Sequence, residues 1–239
     1  MPNCVSYDPT FGYELAVIMQ DGLRRMVADQ EDVYYYITVM NENYEHPAIP
    51  QGESVASDII KGMYSFRKAP ADKKAPRVQL MGAGTIFNEV IAAADLLKND
   101  WGVAADLWSV PSFTELAREG QAVERWNLLN PGADRKVAHV AKLLKDAPGP
   151  VIASTDYIRA LVDQIRAYVP NKFVVLGTDG YGRSDTREAL RHFFEVDRYW
   201  VTVAALNALA DEGTIERKVV AEAIKKYNLD PAKPNPMTV

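Results

Sequence analysis

Apolar residues along this chain switch repeatedly between two periods. Over residues 11–30, Leu15, Met19, Leu23 and Met26 recur at helical spacing behind Asp8 and Pro9, which predicts a long helix with one apolar face. Residues 33–40 then run as β-branched and aromatic positions without alternation, the pattern of a strand covered on both faces. Such a strand needs parallel neighbours, and only one helix precedes it. Its sheet is therefore expected to be completed by chain outside this sequence.

Residues 41–52 are polar and carry Pro47 and Pro50, which places a boundary near residue 52. Residues 58–68 read as a short helix or turn leading into a strand at 63–67, and 69–77 as a solvated loop. Beyond it, strands at 78–81, 104–110, 151–153 and 173–176 alternate with helices at 85–99, 112–126, about 137–144 and 157–168. That alternation predicts an α/β fold, a three-layer α/β/α arrangement around a mostly parallel sheet. Three further helices, at 186–194, 197–211 and 216–227, close the chain before a proline-rich tail over 230–239. Val220, Ala223, Ile224 and Tyr227 make one stripe on the last helix.

The densest chemistry lies at Val174-Val175-Leu176-Gly177-Thr178-Asp179-Gly180-Tyr181-Gly182-Arg183-Ser184-Asp185. It reads as strand, glycine-punctuated loop and helix, with Asp185 and Glu188 spaced as an N-capping pair. Loops that leave the carboxyl end of a parallel strand are where ligands and partner surfaces are usually placed. Asp179, Gly180, Arg183, Ser184, Arg187 and His192 are the candidates for an interface or for binding an anion, with Arg191 beside them. A plain strand-to-helix connection with solvated charges stays open on spacing alone.

Composition narrows the function classes. The 239 residues are 48% apolar, enough for a normal core, and the net charge of −5 favours neither a nucleic acid nor an anionic membrane. One cysteine, Cys4, excludes an internal disulfide framework and fits a reducing compartment. Gly82-Ala83-Gly84 follows a strand, but Phe87 stands where a dinucleotide fingerprint has its third glycine, so a tight βα turn is the better account. Ser112 and Glu115 form a capping box. His46, His139 and His192 are too dispersed for a local metal motif, and only His46, near Glu42 and Glu45, is placed as a proton carrier. No complete active site emerges, and neither a catalytic, a cofactor-binding nor a metal residue is assigned.

Several long motifs stand out together, in order: Pro2-Asn3-Cys4-Val5-Ser6-Tyr7-Asp8-Pro9, Tyr34-Tyr35-Tyr36-Ile37-Thr38 with Asn41-Glu42-Asn43-Tyr44, Ser112-Phe113-Thr114-Glu115-Leu116-Ala117-Arg118-Glu119-Gly120, Glu124-Arg125-Trp126-Asn127, and the loop from Gly177 to Asp185. Together they resemble the C-terminal part of the homodimeric pyruvate dehydrogenases, the thiamine-diphosphate-dependent decarboxylating components of a multienzyme complex. The loop is also similar to that of transketolases. The resemblance implies that residues 1–52 are the last helix and strand of a pyrimidine-binding domain, and 53–239 a transketolase-like C-terminal domain. It implies a cytoplasmic enzyme that uses thiamine diphosphate and magnesium when complete, with none bound by this chain alone. The partners it implies are the remainder of the same enzyme, a second subunit and a lipoyl-bearing acetyltransferase component, with no nucleic acid and no membrane. The alternative is a catalytically inactive, stand-alone interaction or regulatory module.

Overall fold

The computed structural model describes residues 1–72 and 74–239. Lys73, inside the loop predicted at 69–77, lies outside the described residues. The N-terminal piece is a two-stranded parallel sheet in which β1 (Cys4–Tyr7) pairs with β2, the later strand at Tyr34–Ile37, in register Cys4 to Tyr34 through Tyr7 to Ile37. Helix α1 (Gly12–Leu23) and a π-helical turn (Arg24–Ala28) connect the two. The tyrosine-rich strand, whose sheet was expected to be completed by chain outside this sequence, has one parallel neighbour within it, Cys4–Tyr7. It is also not covered on both faces, because Tyr34 and Tyr36 stay exposed. A four-residue strand between Pro2-Asn3 and Asp8-Pro9 carries too short a pattern to be read ahead of the structure.

The apolar stripe expected on α1 is likewise corrected. Glu14, Ile18 and Gly22 face inward, while Met19, Leu23 and Val27 are exposed. Gly22 lets the ring of Tyr35 pack closely, since a Cβ there would lie 3.3 Å from it and the ring would have to give by a few tenths of an ångström. The inward carboxylate of Glu14 accepts four hydrogen bonds: Oε2 from the Thr10 and Phe11 N–H groups at 2.5 and 3.0 Å, and Oε1 from Tyr64 Oη and Ser109 Oγ, each at 2.6 Å. Burial pushes the Glu14 carboxyl above its ordinary range, against the pull of those donors. The side chain ties the start of α1 to the main sheet. Helix α2 (Val55–Ile60) then adds Val55 and Ile59 to a core shared by Val5, Tyr7, Ile18 and Tyr64.

Among the described residues the main sheet has five strands, β3 (Tyr64–Arg67), β4 (Arg77–Gly82), β5 (Ala104–Ser109), β6 (Val151–Ser154) and β7 (Phe173–Leu176), in the order β3-β5-β4-β6-β7, and of these only β3 runs antiparallel to its neighbour. β4 and β6 are buried along nearly their whole length, as expected of parallel strands with helices on both faces. Helix α3 (Ile86–Trp101) leads from β4 to β5, and α4 (Phe113–Leu129), α5 (His139–Leu144) and α6 (Arg159–Asp163) follow. The predicted helix over 157–168 is shorter than expected and ends in a 3-10 turn at Arg166–Tyr168. Ser112 caps α4, its Oγ accepting the Glu115 N–H at 3.0 Å.

Helices α7 (Arg187–Phe193), α8 (Arg198–Asp211) and α9 (Arg217–Lys226) complete the chain. α3, α8 and α9 bury Val90, Leu97, Leu206 and Ala223 against Leu80 and Leu107, and α4, α5 and α6 bury Leu116, Val140 and Val162 against Met81 and Ala153 on the opposite face. The N-cap of α7 is Thr186, whose side chain accepts the Ala189 N–H at 3.2 Å, and not Asp185 as the spacing suggests. Asp185 instead accepts the Thr186 N–H at 2.7 Å.

Candidate functional site

The strand order reverses between β4 and β6, where the crossovers leave in opposite directions, and a crevice of about 250 Å³ opens beyond their carboxyl ends. The turn after β4 contributes Thr85, the turn after β6 contributes Asp156, and the loop after β7 contributes Thr178, Gly182 and Arg183. Arg187 and Arg191 reach it from α7, one helical turn apart. The N-terminal piece lies across the same edge. Gly84 N–H donates to Asp8 O at 3.1 Å, Thr10 Oγ1 to Gly84 O at 2.9 Å, and Tyr157 Oη and Thr38 Oγ1 both donate to Asp8 Oδ1, at 2.7 and 2.6 Å.

Charges meet here across long stretches of chain. Arg191 donates to both carboxylate oxygens of Glu42, at 2.6 and 3.2 Å, and lies 3.6 Å from Glu89. Glu89 also receives Arg198 through Nε at 2.8 Å, Nη2 at 2.9 Å and the backbone N–H at 3.0 Å. Burial pushes the Glu89 carboxyl up, but the Arg198 hydrogen bonds and the charges of Arg198 and Arg191 outweigh it and hold the carboxyl below its ordinary range. Asp156 has no such clamp. Its nearest hydroxyl, Thr85 Oγ1, is 3.4 Å away, and burial lifts its carboxyl above the ordinary range despite the Arg191 charge.

The predicted site residues do not gather in one place. Asp179 accepts Arg159 Nε at 2.5 Å and the Arg159 N–H at 3.2 Å. Gly180 takes φ +110, and a Cβ there would lie 2.5 Å from Pro236 O, so the C-terminal tail seats directly on the loop. Arg183 does not pair with Asp179; its guanidinium sits 4.3 Å from the centre of the Phe193 ring. Ser184 is exposed. Arg187 donates to Asn41 O and Oδ1. His192 Nδ1 is 2.8 Å from Asp197 Oδ2, on the cap of α8, away from the crevice. His46 Nδ1 accepts the Gly12 N–H at 2.9 Å and the ring stacks on Tyr44 with centroids 4.9 Å apart, which fixes it at the start of α1.

Sequence reading passed over Asp156, Arg159, Thr85, Glu89 and Arg198. For Asp156 a signal existed, because it stands two residues beyond a strand end in a parallel sheet. Residues 82–84 do not form a phosphate cradle: a Cβ at Gly82 would meet Phe87 and Val90 at 3.0 Å, and the Gly84 N–H is already spent on Asp8. Among the described residues, no three His, Cys, Asp or Glu side chains group as metal ligands, and no helix is long and apolar enough to cross a membrane.

A mostly parallel sheet of this order, with the crevice loops at its carboxyl edge and α7 beyond, is the architecture of a transketolase-like C-terminal domain. The model of the transketolase-like TK C-terminal domain matches residues 62–197, and the chain belongs to that family. Residues 1–47 match the pyruvate dehydrogenase E1 component middle domain. The chain is 74% identical over 239 residues to the pyruvate dehydrogenase E1 component of Cupriavidus necator, covering 100% of this chain and 26% of that protein. Identity is 59% over 240 residues with the Pseudomonas aeruginosa protein of that description, and 52% over 238 residues with that of Escherichia coli K12, at 99% of this chain and 27% and 26% of theirs. The chain thus spans about a quarter of the length of these curated relatives. Among solved structures, transketolase from Leishmania mexicana superposes with a TM-score of 0.58 at 15% identity, over 88% of this chain and 26% of that one. The chain described as split gene transketolase, inactive beta4 tetramer, gives 0.51 at 15% identity, over 88% and 58%. At that identity these two structures speak for the fold alone.

Proposed function

We propose that this chain is the C-terminal portion of an acetyl-transferring pyruvate dehydrogenase. It supplies subunit contacts and the framework of the active-site channel for oxidative decarboxylation of pyruvate and acetyl transfer to lipoyl groups. The observation that carries this is the 74% identity maintained along the whole chain with a pyruvate dehydrogenase E1 component. On this reading residues 1–52 are the tail of the pyrimidine-binding domain and 53–239 the C-terminal domain. The absence of regular structure between Ile37 and Val55 supports that division.

The complete enzyme uses thiamine diphosphate and magnesium, which supply the carbanion-stabilising chemistry. This chain's own residues do not fit a diphosphate and its metal, given the filled turn at 82–84 and the dispersed acids, so no step is assigned through the cofactor here. The loop residues act by holding position. Asp179, Arg187 and Arg191 already have partners that orient them, and Gly180 and Arg183 fix the path of the loop. The partners are the remainder of the enzyme, a second subunit and the lipoyl-bearing acetyltransferase component, in the cytoplasm.

The test supplies the missing portion in trans, using the preceding three quarters of the Cupriavidus necator relative, and measures pyruvate-dependent reduction of an artificial electron acceptor. Restored turnover supports the proposal. A folded, stably assembled mixture that shows no turnover overturns it in favour of a non-catalytic interaction module.

A further inference from the structure

Helix α7 is held to the fold without a buried residue of its own. Residues 181–188 are exposed, and the apolar side chains α7 presents, Leu190 and Phe193, belong to a small cluster around Ile86, Phe194 and Val196, apart from the two cores of the main sheet. An element with so little buried area takes its position from the contacts at its sides and ends. On one side these are Arg187 with Asn41 and Arg191 with Glu42, on the N-terminal piece.

On the other side they come from the C-terminal tail. Lys233, its side chain 15% exposed, donates through Nζ to Phe193 O, the last carbonyl of α7, at 2.7 Å and to Glu195 Oε1 at 2.9 Å. It thus answers a carbonyl that a helix end leaves open, and it pairs with a residue at φ +63, a left-handed conformation that non-glycine residues rarely adopt. The same ammonium lies 5.0 Å from the centre of the Phe193 ring, and Arg183 of the loop lies 4.3 Å from it. Further along the tail, Met237 Sδ accepts Arg159 Nη2 at 2.8 Å, on the guanidinium that also holds Asp179, and Pro236 O closes on Gly180. The loop after β7 is moreover a shared wall. Gly177 and Asp179 line a cavity of about 410 Å³ beneath the tail, Thr178, Gly182 and Arg183 line the crevice, and Phe194 lines both.

We propose that residues 229–237 are a strap. Docked, they hold α7 and the loop after β7 against the N-terminal piece; undocked, they let this unit move and the crevice open. Two sets of contacts that favour one position of one element support each other, so the strap and the Arg191–Glu42 pair are coupled in both directions. The strap is a conformational device that goes beyond the proposed activity and does not depend on it.

The experiment follows hydrogen exchange of the complete polypeptide that carries this chain, together with limited proteolysis of residues 230–239. The variant Lys233→Ser with Pro236→Ser and Met237→Ser removes the holds of the tail, and Lys233→Gln alone is the milder form. In the triple variant the tail should be cut faster, and the amides of Thr178, Leu190 and Phe194 should exchange about tenfold faster while those of β4 and β6 keep their protection. Arg191→Gln, made at the opposite side of α7, should in turn speed cleavage of the tail about fivefold. Lys218→Gln, on the exposed surface of α9, should change neither. A freed tail with unchanged exchange at Thr178, Leu190 and Phe194 would overturn the proposal. So would a tail that the triple variant fails to free, an Arg191→Gln protein with normal cleavage of the tail, or equal loss of protection in β4, β6 and α7.

Discussion

Arg191 clamps Glu42 through both carboxylate oxygens, at 2.6 and 3.2 Å, although the two residues lie 149 positions apart. The Arg191 side chain is only 11% exposed, so the pair joins the N-terminal piece to α7 as a partly buried, bidentate contact. Replacing Arg191 with Gln leaves Glu42 without its main partner and should cost about 1.5–3 kcal/mol, read as a shift in denaturant midpoint. The double variant Glu42→Gln with Arg191→Gln should be less destabilised than the sum of the two single changes. Strict additivity would show that the contact contributes nothing.

Glu89 sets a pH dependence. Its folded carboxyl lies below the ordinary value of about 4.3, so its contribution is present above that pH and is lost as pH falls through the depressed folded value. Glu89→Gln should therefore be less stable than the unmodified protein at neutral pH. The gap should close on acidification below about pH 4. Urea melts between about pH 3, roughly one unit below the ordinary glutamate value, and about pH 7 measure it.

Gly180→Ala tests the seat of the tail. The residue holds φ +110 and its Cβ would lie 2.5 Å from Pro236 O. The side chain should push residues 230–239 off the loop and raise their rate of proteolysis, while the protection of β4 and β6 stays unchanged. Unaltered cleavage of the tail would show that the close approach is not maintained in solution.

Much of the α/β layering was legible because β4, β5, β6 and β7 are apolar runs separated by helical periods. The Ser112 cap was legible from its local spacing with Glu115. α1 was misread because its inward face carries Glu14 and Gly22, which an apolar count scores as outward. β1 was passed over because four residues between turn formers give too little pattern. The partners of Asp179 and Glu42 could not be read, since Arg159 and Arg191 reach them only through folding. Two-residue spacings are visible in a sequence, but contacts across 149 positions are not.

β2 should open more easily than β7. Each strand has one neighbour among the described residues, but Tyr34 and Tyr36 are exposed, whereas β7 pairs with β6 over a buried core. In a demonstrated monomer of this chain, amides of Tyr34–Ile37 should exchange faster than those of Val174 and Val175. On the proposed function, adding in trans the portion that precedes the matched region in the Cupriavidus necator relative should slow exchange at β2 selectively and cover the exposed Met19 and Leu23 of α1 and Val27 of the π-helical turn.

The framework role of the loop after β7 rests on Asp179 being an orienting partner of Arg159 and not an acid or base. Turnover per assembled dimer of the complete enzyme carrying Asp179→Asn measures this directly. Because Arg159 is 45% exposed and the pair is half in solvent, the variant should lose dimer stability modestly and keep turnover within about fivefold of the unmodified enzyme. Complete loss of turnover, with normal assembly and normal cofactor affinity, would place Asp179 in the chemical step and contradict that role.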